Sequence, residues 1–352
     1  MENLSPREQK ILDILSKQDK AQSSDIHALL KLLDEDLSLV TVKRVLSRLQ
    51  SLGVIIVNGS GRSTSYTITT YGRLVSNIDA HLYCLNEPDR RHGRSGYNFS
   101  LFETLSFNPL TIDEEKVLDM ATKKYHVRTK DLSTTIQEKE LERFIIELSW
   151  KSSKIEGNTY TLLDTEKLIR EGIEAMGHSK DEAKMILNHK EAFKFIRENS
   201  SEFKTLTKKN IEEVHKILVK DLNVDFGLRK KPVGVTGSLY RPLDNIYQIS
   251  EAMEQLSKSI SRIKNPYTQA LVALVGISYI QPFEDGNKRT ARLMANALLL
   301  AHKCAPLSYR SVDENAYRES MLVFYELNSL VPFKKIFIEQ YVFSAENYLV
   351  KS

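Results

Sequence analysis

The chain has 352 residues, 41% of them hydrophobic and 27% charged, and its 50 basic and 46 acidic side chains nearly cancel. That length suffices for a large core in one or two domains, and no apolar run reaches the ~18 residues of a membrane span, so a globular protein without a membrane partner is expected. The polar start, with Glu2, Arg7 and Glu8, is not a secretory leader, and Cys84 and Cys304 form no CxxC or Cys/His cluster, which argues for a cytoplasmic address and against a zinc site or disulfide framework.

Residues 1–75 read as three short helices followed by a hairpin. Ser5 with Glu8 makes a capping box ahead of Ile11, Leu12, Ile14 and Leu15, and Ser24 opens a second helix bearing Ile26, Leu29, Leu30 and Leu33. A third helix runs from about Val40 through Val42, Val45, Leu46 and Leu49 to near Gly53, with Lys43, Arg44 and Arg48 off its apolar stripe. Val54–Val57, the turn Asn58-Gly59-Ser60-Gly61 and the alternating run from Ser65 to Thr69 predict the hairpin. From Leu37 to Ile78 the basic residues Lys43, Arg44, Arg48, Arg62 and Arg73 meet no acid, so this stretch favours anions. The element order resembles a winged helix. The resemblance implies a third helix in the major groove of double-stranded DNA, read by Lys43, Arg44 and Arg48, with Arg62 on the wing touching the backbone. The alternative use of such a module is contact with another protein or with a second copy, as a homodimer.

Residues 76–112 read as a connector, polar at Asp89–Gly96, and 113–352 as one helical domain with apolar stripes such as Phe144, Ile145 and Leu148. Between helices, 233–242 carries Val233, Gly234, Val235, Thr236, Gly237 and Pro242, a pattern predicting a short β-hairpin flap. The fold class expected is thus mainly α: a winged helix followed by an all-α domain with that flap.

Residues 270–280 are apolar almost all round, as in a central buried helix, which Gln281-Pro282 ends. Glu284-Asp285-Gly286-Asn287 then leads into a second helix from Lys288. Free amides at Gly286, Asn287 and Lys288, added to the helix dipole, make an anion cradle, and Gly286 permits close approach of a ligand. Arg289 and Arg292, three apart on the first turn, can reach one phosphate tail, and Asp285 can hold the accompanying Mg2+.

The string from Gln281 to Arg292 resembles the signature of the Fic family, His-Pro-Phe-x-(Asp/Glu)-Gly-Asn-(Gly/Lys)-Arg-x-x-Arg, at every specified position except the first. Asn188-His189, His215, Gly227 with Arg229 and the flap before Pro242 extend the likeness over roughly 100–345. The resemblance implies transfer of AMP from ATP to a Tyr, Thr or Ser hydroxyl of a protein target. Asp285 then binds Mg2+, Gly286, Asn287 and Lys288 hold phosphates, Arg289 and Arg292 clamp the triphosphate, and Val235 and Thr236 of the flap align the target. In the family the first position is the histidine that accepts the hydroxyl proton, and here it is Gln281. A neutral amide cannot take that proton, and general-base catalysis contributes about 10²- to 10⁴-fold.

Ser152 and Glu156, four apart on one helical face, precede Gly157 at the end of a helix expected over about 137–157. A carboxylate in a last turn opposes the helix dipole unless a cation compensates. Ser-x-x-x-Glu-Gly resembles the Fic inhibitory motif, which implies that Glu156 pairs with Arg292 and keeps ATP from its productive position. Two functions stay open: an autoinhibited adenylyltransferase weakened by Gln281, and a non-catalytic ATP-sensing regulator that binds DNA. A transcription factor with a vestigial helical domain would leave Asp285, Asn287, Arg289, Arg292 and Glu156 together unexplained.

Overall fold

A computed structural model describes residues 4–18, 20–35 and 37–350. The chain opens with α1 (Pro6–Ser16), α2 (Ser23–Leu32) and α3 (Leu39–Ser51), followed by β1 (Ile55–Asn58) and β2 (Ser65–Ile68). The capping box forms: Ser5 N donates to Glu8 Oε2 at 2.7 Å and Glu8 N to Ser5 Oγ at 3.4 Å, and Pro6 occupies the first turn, where no amide is needed. Ser38 caps α3 through Thr41 N, so the helix starts at Leu39, and α2 starts at Ser23 behind Gln22. β1 and β2 pair antiparallel, with Ile55 opposite Ile68 and Asn58 opposite Ser65, the only sheet among the described residues. Ile11, Leu15, Ile26, Leu30, Val42, Leu46 and Ile55 are buried, so the apolar stripes of the three helices and one face of the hairpin make a common core.

The segment 76–112, expected as connector, holds two short helices, α5 (Ala80–Cys84) and α6 (Leu101–Thr104), and α4 (Thr70–Val75) adjoins it. Short side-chain caps explain this, since Thr69 accepts from Gly72 N and Asp79 from Leu82 N. Then come α7 (Ile112–Thr129), α8 (Thr134–Ile155), α9 (Leu162–Glu171), α10 (Lys180–Glu198), α11 (Lys208–Leu218), α12 (Ile246–Arg262), α13 (Pro266–Ile280), α14 (Asn287–Ala301), α15 (Glu314–Leu327) and α16 (Val331–Asn347). Mainly helical architecture was the expectation and is what is found. No helix is long and apolar enough to cross a membrane among the described residues.

The chain divides into two compact units, one taking the chain up to Thr104 with Val235–Arg241 and Asn315–Lys335, the other taking Leu105–Gly234, Pro242–Glu314 and the chain from Ile336. In the second, α13 is buried along its whole length from Tyr267 to Ile280, which suits a sequence with no polar face, and α14 is buried from Arg289 to Leu300.

The expected β-hairpin at 233–242 does not form. Its amides are used elsewhere: Ser238 N bonds Val235 O at 3.1 Å, Leu239 N bonds Glu326 Oε1 at 3.1 Å, Tyr240 N bonds Ser238 Oγ at 3.2 Å and Arg241 N bonds Ser95 O at 2.8 Å. With these four donors committed to one turn and to distant partners, no ladder across the segment remains. Gly237, at φ 73°, supplies the left-handed position of that turn.

Candidate active site

The helix α13 stops because Gln281 takes a left-handed conformation (φ 50°, ψ 59°) and Pro282 has no amide to continue the ladder. For a non-glycine residue this conformation costs on the order of 1 kcal/mol and is held only where its surroundings insist. The surroundings here are Arg229, fully buried, which grips the loop from outside. Its Nε donates to Gln281 O at 2.7 Å, its amide to Pro282 O at 3.0 Å, Nη1 to Lys231 O at 2.9 Å, and Nη2 to Leu243 O. The Gln281 side chain is turned back on its own helix, Nε2 donating to Ser278 O at 2.7 Å.

Phe283 turns inward, as the sequence suggests, and Asn287 fixes it from both sides. Phe283 N donates to Asn287 Oδ1 and Asn287 Nδ2 donates to Phe283 O, each at 2.8 Å. His215 stacks on the Phe283 ring at 3.6 Å and 7°, and its Nε2 lies 3.0 Å from Asp285 O. A carbonyl only accepts, so Nε2 carries the proton. Burial outweighs that hydrogen bond and pushes the His215 imidazole down to about 4. Gly286, at φ 78°, ends the loop and opens α14, its carbonyl accepting the first helical bond from Thr290 N at 2.8 Å.

The amides of Gly286, Asn287, Lys288 and Arg289 meet no acceptor among the described residues. Arg289 is buried, and while its Nη2 pairs with Asp285 Oδ2 at 2.7 Å, its Nη1 has no hydrogen-bond partner. A buried guanidinium nitrogen without an acceptor beside four free amides at a helix N-terminus is a set of donors that an anion can satisfy.

The structure brings Ser152, Glu156 and Arg292 together. The last turn of α8 tightens, Glu156 N and Asn158 N both bonding Ser153 O at 3.0 and 3.1 Å, which releases Ser152 O from the α ladder. Arg292, fully buried, then binds Ser152 O through Nη2 at 2.7 Å and Ser152 Oγ through Nε at 2.9 Å, and its Nη1 lies 2.8 Å from Glu156 Oε1. Lys288 Nζ approaches the other carboxylate oxygen at 3.6 Å. Burial alone would raise the Glu156 carboxyl, but Arg292, Lys288 and the Arg292 hydrogen bond overcome it and hold it below the usual glutamate range. Gly157, at φ 97°, lets the chain leave the helix directly after this pair.

Arg289 and Arg292, expected on one phosphate tail, face different partners here, Asp285 for the first and Ser152 with Glu156 for the second. Asp285 is exposed and held by Arg289. Val235 is buried and Thr236 exposed in the turn at 235–238. In the winged helix Lys43, Arg44 and Arg62 are exposed without an ion-pair partner among the described residues, whereas Arg48 Nε is 2.8 Å from Glu8 Oε1. Arg229, Asn287 as a loop clasp and the His215–Phe283 stack were not read as such from sequence. Arg229 follows Gly227 by two, and nothing in that spacing announces four backbone acceptors.

Residues 205–299, which hold α11 to most of α14 and the whole loop, match the Fic/DOC family. Over that stretch the chain is similar to a Fic domain. Residues 4–75 match the penicillinase repressor family, a winged-helix-like domain. Among curated relatives, a Drosophila yakuba protein named protein adenylyltransferase Fic is 26% identical over 210 residues, 59% of this chain and 42% of that protein. Its Drosophila melanogaster namesake is 29% identical over 171 residues, 48% of this chain and 35% of that protein. The chain thus spans less than half the length of the curated relatives it matches. Among solved structures, a Fic-domain signalling protein from Bacteroides thetaiotaomicron aligns over 65% of this chain and 94% of its own with a TM-score of 0.56 and 22% identity. Residues 134–508 of Fic-1 from Caenorhabditis elegans align over 70% and 79% with a TM-score of 0.55 and 19% identity. Likeness at that identity establishes the Fic fold.

Proposed function

We propose that the Fic domain binds ATP at the loop 281–292 and transfers AMP to a hydroxyl of a protein, restrained by Glu156 and slowed by Gln281 in the place of the family's histidine. The observation that carries the reading is the incomplete anion site: four free amides and the buried, acceptor-less Nη1 of Arg289 at the start of α14. A phosphate group supplies the missing acceptors, and the names of the curated relatives support ATP as its source.

The residues fit Mg2+ in the manner of nucleotide sites. No cluster of three acidic, histidine or cysteine side chains exists among the described residues, and the exposed Asp285 supplies one carboxylate, leaving phosphate oxygens to provide the rest. Bound there, the ion neutralises phosphate charge. To accept it Asp285 must share or leave Arg289, which frees that guanidinium for phosphate. Glu156 occupies Arg292 in the same way, so full engagement of the triphosphate requires this carboxylate to yield. Gln281 orients but accepts no proton, and a tyrosine hydroxyl of ordinary pKa ~10 stays protonated at neutral pH. The turn bearing Val235 and Thr236 is the proposed docking element for the target.

The match of residues 4–75 to a repressor family favours a second reading, in which nucleotide occupancy controls DNA binding through Lys43, Arg44 and Arg62. Equilibrium titration with Mg-ATP tests the shared premise: wild type binds saturably and Arg289→Ala binds at least about tenfold more weakly, a loss of about 1.4 kcal/mol. Equal binding by both proteins sinks the placement of the phosphates. Repeating the titration with duplex DNA separates the readings, because only the second couples the two ligands.

A further inference from the structure

Within the unit that contains the winged helix, a cavity of about 360 Å³ opens beside α1 and α5. Ile78, Leu82 and Leu327 give it an apolar wall, and Lys17, Arg90 and Arg91 reach its edge. The acids that line it are already engaged: Asp13 pairs with Lys17 at 2.7 Å, and Asp79 accepts the Leu82 amide at 3.0 Å as the cap of α5. Arg90 is exposed and has no acid partner among the described residues. Lys10, also in the lining, pairs with Glu35, so Arg90 offers the cavity a guanidinium without an acid partner beside an apolar surface, a pairing of donors and apolar wall that suits an organic anion.

Arg91 joins this cavity to the turn at 235–241. It is buried, its Nη2 donates to Gly237 O, its Nη1 is 3.4 Å from Glu326 Oε1, and its Nε has no acceptor. Glu326, itself buried, takes Ser238 Oγ at 2.7 Å and Leu239 N at 3.1 Å on one oxygen and Tyr83 Oη at 2.7 Å on the other. One guanidinium thus lines the cavity and holds the turn that carries Val235 and Thr236. A carboxylate or phosphate that takes the free Nε bidentately also claims a neighbouring Nη, in competition with the bonds those nitrogens make to Gly237 O and Glu326.

We propose that this cavity is an effector site for a small organic anion with an apolar body, and that its occupant draws on Arg91 and loosens the turn at 235–241. The second half rests on the reading of that turn as the docking element for the target, and the first does not. Carboxylate and phosphate share the recognising chemistry, so benzoate and phenyl phosphate serve as probes, with inorganic phosphate as the probe without an apolar body.

Calorimetric titration of the full chain is expected to show saturable binding of at least one aromatic probe, with inorganic phosphate about tenfold weaker or absent. Arg90→Glu and the cavity-filling Leu82→Trp, at a side chain already largely exposed, are each expected to weaken binding about tenfold or more, while Arg289→Ala leaves it unchanged. Bound probe should speed chymotryptic cleavage after Leu239 or Tyr240 several-fold in wild type and not in Leu82→Trp. Absence of saturable binding by both aromatic probes, or binding that survives Leu82→Trp and Arg90→Glu, overturns the site. Binding lost in Arg289→Ala places the probe at the Fic loop and overturns it equally, while leaving the reading of that loop intact. Binding with an unchanged cleavage rate overturns the coupling to the turn.

Discussion

Replacing Glu156 with glycine removes the carboxylate 2.8 Å from the Arg292 guanidinium, which is fully buried. Breaking a buried pair by deleting one partner costs about 3–5 kcal/mol, because the remaining charge stays desolvated. Ser152 O and Oγ continue to hold two of the Arg292 donors, and the Glu156 side chain is 18% exposed, so water can take part of its place. The lower end, about 3 kcal/mol, is the expected loss in the ligand-free protein. For a chain of this size it lowers the melting temperature by roughly 4 °C. ATP reverses the sign of the comparison. A phosphate can occupy the place of the carboxylate on Arg292, so the ligand recovers in the variant an interaction that in wild type it must first break. Mg-ATP should therefore bind Glu156→Gly at least about tenfold more tightly, and at saturation the melting gap between the two proteins should close. Thermal unfolding across an ATP titration reads both quantities. A variant as stable as wild type without ATP, or one that binds ATP no better, refutes the argument that this carboxylate stands where phosphate belongs.

Stability should also follow His215. Its imidazole is held near 4 against about 6.5 in the unfolded chain, so as pH falls between those values the unfolded state binds a proton that the native state refuses. Denaturant unfolding at pH 7 and pH 4.5 should show His215→Gln losing about 2 kcal/mol less than wild type on acidification, and equal losses would show that the ring is not the titrating group. His189 is buried with neither ring nitrogen hydrogen-bonded, and burial, then Arg292 and Arg289, keep it neutral. As a core residue it should tolerate His189→Phe with stability within about 1 kcal/mol and ATP affinity unchanged, and a large loss of affinity in the titration would give the imidazole a role at the nucleotide. In the winged helix, Lys43→Ala with Arg44→Ala should reduce the salt slope of DNA binding by about 2, whereas Arg48→Ala, whose side chain already pairs with Glu8, should change it by less than about 1 in a fluorescence-anisotropy series over salt. Equal slopes for all three proteins would remove this face from the DNA interface.

Local chemistry made much of the structure legible. Ser5 and Glu8 announce α1 because both halves of a capping box lie within four residues, and the apolar stripes of α1 to α3 need only helical periodicity. The loop was legible for a similar reason: Pro282, Gly286 and the helix start at Asn287 act within a few residues of one another. Side-chain partners brought together by the fold were harder. The hairpin expected at 233–242 failed because Glu326 and Ser95, remote in sequence, claim its amides. Arg289 and Arg292 share a helix face, yet Asp285 draws one and Ser152 with Glu156 draw the other, and spacing alone carries no record of that competition. The pairing of Glu156 with Arg292 was reachable only through a motif, and the bonds from Arg292 to Ser152 were not read from sequence at all, since the release of Ser152 O depends on the tightened end of α8.

The measurement that bears most directly on the proposed chemistry is AMP transfer from α-labelled ATP with magnesium, comparing wild type, Glu156→Gly, and Glu156→Gly with Gln281→His, with self-labelling as the readout. Restoring a general base should raise labelling by about 10²- to 10⁴-fold over Glu156→Gly alone, and wild type should label least. A double variant that binds ATP and labels no faster than the single variant would contradict the account.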